Sequence, residues 1–87
     1  MSSKRYPSIP VVEIRRLAAE YDNATLKQCM ELALEGEPNP CYSKQDEEEV
    51  INVLAKAGLV SDLMEKGYTL KGAMRELGRR MRAITVA

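Results

Sequence analysis

The side chains of this 87-residue sequence best suited to chemistry are two thiols, Cys29 and Cys41, and a row of cations, Lys71, Arg75, Arg79 and Arg82. A thiol can act as a nucleophile or a metal ligand, but either role needs partners. The chain contains no histidine. That removes the commonest general base, the commonest metal ligand and every Ser-His or Cys-His pair. Two cysteines supply two soft ligands with no third or fourth, and their spacing is not Cys-x-x-Cys, so a zinc site within one chain is not expected. Cys29 falls on an apolar helix face and reads as core. Cys41 lies in a loop bracketed by prolines and has two readings. It is a candidate exposed thiol, or it is tucked beneath the loop. The surrounding acids would raise its pKa, which argues against a thiolate sensor.

Other routes to catalysis are missing as well. Gly58, Gly67, Gly72 and Gly78 fit neither the GxGxxG nor the P-loop spacing. The acids from Asp46 to Glu49 are consecutive, so on a helix they point around the axis and cannot converge on a metal. We therefore expect a non-enzymatic protein with no cofactor.

The length allows one domain with one core. Phe and Trp are absent, and Tyr6, Tyr21, Tyr42 and Tyr68 are the only aromatics. A small core of this kind is often supplemented by self-association, and a homodimer is expected on that ground. No apolar run follows Lys4 and Arg5 as a secretory signal requires. None approaches the roughly 18–20 residues of a membrane span. The expected setting is the cytoplasm, with reduced thiols.

The elements that must position these groups are helical. Apolar periodicity predicts an all-α bundle of four helices plus one short helix, over about 10–21, 24–35, 44–57, 61–66 and 70–84. Residues 1–9 read as a flexible tail, and 10–87 as a single helical domain. A Pro-x-x-Pro motif spans Pro7 to Pro10, where Pro10 also suits the first helical position. Val11, Ile14, Leu17, Ala18 and Tyr21 form the first apolar face. Asp22-Asn23 can cap the second helix. Its face holds Leu26, Cys29, Met30, Ala33 and Leu34, with Leu32 outside, and Gly36 stops it. Ser43, with Asp46 three residues on, resembles a capping box for the third helix. Val50, Val53, Leu54 and Ala57 are its core positions, and Gly58 closes it. Ser61 would start the short helix and Gly67 end it. Thr69 caps the last helix. The segment from Gly36 to Ser43 is the one irregular stretch long enough to be functional.

The last helix has two faces. At about 100° per residue, Leu70, Ala73, Met74, Leu77, Met81 and Ile84 form an apolar stripe, with the four cations beside it. Gly72 and Gly78 each weaken a helix relative to alanine by about 1 kcal/mol, which a close approach of another helix would explain. Overall charge is zero but segregated. Residues 31–49 hold seven acids and one cation, whereas residues 62–87 hold six cations and three acids. The basic stripe therefore has three readings. It is a solvated face over a core stripe, a surface for a protein partner or a second copy, or a contact for nucleic acid phosphates. Its arginines could also pair with the acids of 31–49.

The stretch from Gly67 to Leu77, GYTLKGAMREL, resembles a helix start in the DNA-binding domains of MerR-type transcription regulators. Tyr42-Ser43 ahead of an acid-rich helix is similar too. The resemblance implies a helix packed behind a DNA-reading unit, and with it a nucleic-acid-binding accessory or regulatory role. It covers about an eighth of the chain. The interval from Tyr42 to Gly67 is longer than in that family, and its helix-turn-helix and wing are not recognisable in residues 1–41. No site residue is transferred.

Overall fold

A computed structural model describes residues 10–86, with side-chain surroundings through residue 82. The tail expected over 1–9, with most of the Pro-x-x-Pro motif, lies outside the described residues. Four helices follow in order: α1 Val11–Glu20, α2 Asn23–Leu34, α3 Glu47–Glu65 and α4 Leu70–Val86. All described regular structure is helical. The long helix α3 is the hub. It packs against α1, α2 and α4, whereas α2 and α4 do not touch each other.

The helix ends follow local chemistry. Pro10 occupies the N-cap of α1 rather than its first helical position. Asp22 caps α2, its Oδ1 accepting from the Thr25 amide at 2.8 Å. Gly36 and Gly67 stop α2 and α3 with φ of 78° and 111°. Both stops are Schellman motifs. The Glu37 amide reaches back to the Leu32 carbonyl at 2.8 Å and that of Gly36 to Ala33 at 3.1 Å. Tyr68 to Leu63 and Gly67 to Met64 repeat the pattern at 3.1 and 3.0 Å. Such stops require positive φ, which glycine adopts without steric cost.

Three expectations need correction. The third helix does not close at Gly58, and no separate short helix occupies 61–66. One helix runs from Glu47 to Glu65 because its apolar face continues through Val60 and Leu63, which are 0% and 2% exposed. Burying two such side chains stabilises by about 1.5–3 kcal/mol each. The mid-helix glycine costs only about 1 kcal/mol. Second, Asp46, not Ser43, caps α3. Its Oδ1 accepts from the amides of Glu48 at 3.0 Å and Glu49 at 3.4 Å, so α3 starts three residues later than expected. Glu47, Glu48 and Glu49 do fill the first turn, where the helix dipole favours acids. Third, Leu34 is 62% exposed and Leu32 half-buried, the reverse of the expected arrangement.

The core is mostly aliphatic. Ile14, Leu17, Leu26, Val53, Leu54, Val60 and Leu77 are its largest fully enclosed hydrocarbon side chains. Val50, Val53, Leu54 and Ala57 are buried as the periodicity predicts, and so are Ala73 and Leu77 of α4. Leu70, Met74 and Met81 are half-buried against this core. Ile84 lies beyond the described side chains. Asn23 locks the start of α2 to the end of α3, donating to Ser61 Oγ at 3.2 Å and Asp62 Oδ1 at 2.7 Å.

Candidate functional site

Two places could carry function: the outer edge of α4 and the loop between α2 and α3. The edge begins with a cap. Thr69 Oγ1 accepts from the Gly72 amide at 3.0 Å. A Cβ on Gly72 would stand 3.2 Å from that same oxygen, so this glycine keeps the cap uncrowded. A Cβ on Gly78 would stand 3.5 Å from Arg82 Nη1, an ordinary contact. Gly72 alone therefore has a local reason within α4.

Lys71, Arg75, Arg79 and Arg82 are all exposed, as expected, but they are not equivalent. Arg79 donates to Glu76 through two bonds, Nε to Oε1 at 3.0 Å and Nη2 to Oε2 at 2.7 Å. Arg80 Nε adds a third, to Oε2 at 2.9 Å. The Glu76 side chain is only 12% exposed. Hydrogen bonds from Arg79 and then Arg80 hold its carboxyl below the usual glutamate range, and the same pairing raises Arg79. Lys71, Arg75 and Arg82 form no ion pair among the described residues. These three lie within about 40° of one another around the helix. They extend over about 16 Å of its axis. Beside them run the half-buried Leu70, Met74 and Met81, with Gly78 between the two rows. The result is an apolar shoulder flanked by three cations that form no ion pair among the described residues.

No described ion pair joins α4 to the acids of 31–49. The contacts explain this in part: α4 packs on α3 and α1 and never meets α2. The acid that does engage the basic face, Glu76, comes from α4 itself.

The loop after Gly36 is folded tightly. Asn39 Oδ1 accepts from the amides of Cys41 at 3.0 Å and Tyr42 at 2.9 Å. Tyr21 donates its hydroxyl to the Pro40 carbonyl at 3.4 Å. Tyr42 is 6% exposed and donates to Glu49 Oε2 at 3.2 Å. Burial, aided by that carboxylate, pushes its phenol above the usual range.

The cysteines complete the restraint, and they overturn the expectation of free thiols. Cys41 is not an exposed thiol. It is 6% exposed, and a disulfide joins it to Cys29, with the Cα atoms 6.2 Å apart. Cys29 is a core residue, as its helix face predicts, but it is also half of this bond. A buried disulfide offers no thiolate for nucleophilic attack or metal binding.

Beside the loop lies a cleft of about 280 Å³. Ala33, Tyr42 and Val50 are its buried lining residues, and Glu37, Lys44 and Glu47 are charged groups at its exposed rim. No described group of three or more potential ligands could hold a metal ion. Among the described residues, no helix is long and apolar enough to cross a membrane. The chain matches no protein-family model, and no curated protein or solved structure shows significant similarity to it.

Proposed function

We propose that this protein is a non-enzymatic interaction module whose contact surface is the outer edge of α4. The observation that carries the reading is the pairing of Leu70, Met74 and Met81 with three cations, Lys71, Arg75 and Arg82, that have no acidic partner among the described residues. Apolar contact supplies binding energy, and a charge row at its border sets register and steers the encounter. The chemistry such an edge recognises is an amphipathic surface bearing carboxylates. Replacing Lys71, Arg75 and Arg82 together by Glu tests this. Proteins cross-linked to the wild-type chain in a native lysate should be absent from the variant at equal helicity. An unchanged cross-linked set would remove the reading.

The cation row also supports a second reading, an accessory contact to nucleic acid. Here the fork at Glu76 counts against a strong site, because it neutralises Arg79. A salt titration with mixed DNA and RNA decides. Absence of binding at about 50 mM salt, where phosphate contacts are strongest, ends this reading.

The cytoplasmic setting expected from the sequence assumed reduced thiols. Disulfides persist chiefly in oxidising compartments. The Cys29–Cys41 bond therefore favours an oxidising setting for the folded protein.

A further inference from the structure

We infer that the α4 edge docks on the α2–α3 face of a second copy of this chain, an inference that rests on the reading of that edge as a contact surface. A groove of about 300 Å³ lies between α2 and α3, lined mainly by apolar groups, among them Met30, Ala55 and Leu59. Leu26 and Met30 line its α2 side, and the 62% exposed Leu34 stands one turn beyond Met30 on the same helix. On the α3 side, Gly58 lets a neighbouring helix come close, since nothing lies within 4 Å of where its Cβ would be. The one cation lining the groove, Lys27, already faces Asp62 at 3.8 Å. The exposed acids Glu31 and Glu35 flank the α2 side, and Glu48 stands two turns before Ala55 on α3.

This face is the chemical counterpart of the α4 edge: an apolar strip bordered by acids against an apolar strip bordered by cations. The two belong to helices that never touch, on different flanks of α3. One molecule therefore does not satisfy both surfaces, and a second copy can. The uneven charge of the sequence then has a structural use, since the acids of 31–49 and the cations of α4 form no described ion pair within a chain and meet between chains. Of the two kinds of closure open to such a contact, reciprocal exchange gives a two-fold dimer. A one-way contact continues head to tail.

Light scattering on the full chain tests the inference. At low salt the mass should rise above the 9.7 kDa monomer with concentration. It should fall back at high salt, where screening shortens the reach of charges to a few ångströms. The paired reversals Arg75→Glu with Arg82→Glu, and Glu31→Lys with Glu48→Lys, should each weaken association by at least about tenfold. An equal mixture of the two variants should restore it, which a misfolded variant could not do. Ala55→Arg, at an exposed helical site in the groove, should also abolish association while leaving helicity intact. A chain that stays at monomer mass throughout, or associates equally well with Ala55→Arg, overturns the inference. If it stays monomeric while the triple α4 reversal still loses its cross-linked partners, self-docking falls and the interaction module stands.

Discussion

Glu76 grips Arg79 through a two-point fork, at 3.0 Å and 2.7 Å, and so withdraws one of four cations from the face that α4 offers to a partner. The fork is local, three residues along one helix, yet it divides the basic face into a neutralised side and one with no described ion pair. Its carboxyl titrates below the usual glutamate range, chiefly through the hydrogen bonds from Arg79. A folded-state pKa below the unfolded value adds stability above the unfolded pKa. That contribution is lost as the pH falls through the folded pKa. Glu76→Gln should therefore flatten the acid limb of the stability profile. It should also delay elution from a heparin column, because Arg79 and Arg80 are released. An NMR titration that finds Glu76 at the ordinary value would show that the fork does not form in solution.

The Cys29–Cys41 bond gives the second prediction. Closing a loop of 12 residues should contribute roughly 3 kcal/mol through the unfolded chain. Urea unfolding with and without a dithiol reductant measures it, as does the double replacement of both cysteines by Ser. The unreduced native protein should show no titratable thiol. A full count of two free thiols before any reductant is added would refute the bond.

How far the sequence could be read depended on whether the deciding interaction was local. Gly36, Asp22, Gly67 and Thr69 act within a few residues of themselves, and each stop or cap stands where its type and position imply. The apolar periods of α3 and α4, and that of α1 from Ile14 onward, were legible for the same reason, whereas Val11 is 47% exposed at the helix start. Gly58 misleads because its local signal, a helix stop, competes with the burial of Val60 and Leu63 by the other helices. Leu34 is misplaced because it is the last residue of α2, just before the chain turns at Gly36, and it stays 62% exposed. The four cations were legible as exposed residues, but the inequality among them depends on where Glu76 lies relative to Arg79 and Arg80. Its spacings of three and four to the arginines were the available clue. The disulfide joins residues whose proximity depends on how Asn39 and the two prolines fold the loop, and no spacing rule encodes that. The same holds for Asn23 and its bonds to Ser61 and Asp62.

Gly58 and Gly36 should respond to alanine in opposite ways. A Cβ on Gly58 meets nothing within 4 Å, and the site is helical. Gly58→Ala should stabilise the monomer by about 0.5–1 kcal/mol. Gly36 has equally open space but a φ of 78°. There alanine should cost about 1 kcal/mol, because its Cβ strains the left-handed backbone. Denaturation midpoints of the two variants, on either side of the wild type, check the contrast.

Tyr42 should ionise above the ordinary tyrosine range. Burial raises its phenol, and the Glu49 carboxylate favours the protonated form. With the folded pKa above the unfolded one, this contribution is complete below the unfolded pKa. It is lost as the pH rises through the folded pKa. Ultraviolet titration should resolve a late phenolate step that disappears in Tyr42→Phe. A Tyr42 that ionises at the ordinary tyrosine value would mean that the loop does not cover it.

Two neighbouring candidates for the cap of α3 can be separated by alanine. Asp46 accepts from two first-turn amides that would otherwise lack partners. Asp46→Ala should cost about 1 kcal/mol. Ser43 is exposed and precedes the helix by four residues. Ser43→Ala should stay within about 0.5 kcal/mol of the wild type. Urea midpoints suffice, with unchanged slopes showing that the same surface unfolds. Equal losses at both positions, or a larger loss at Ser43, would move the start of α3 back to the residue that the capping-box pattern singles out. The loop would then end earlier, and Lys44 would belong to the helix rather than to the rim of the cleft.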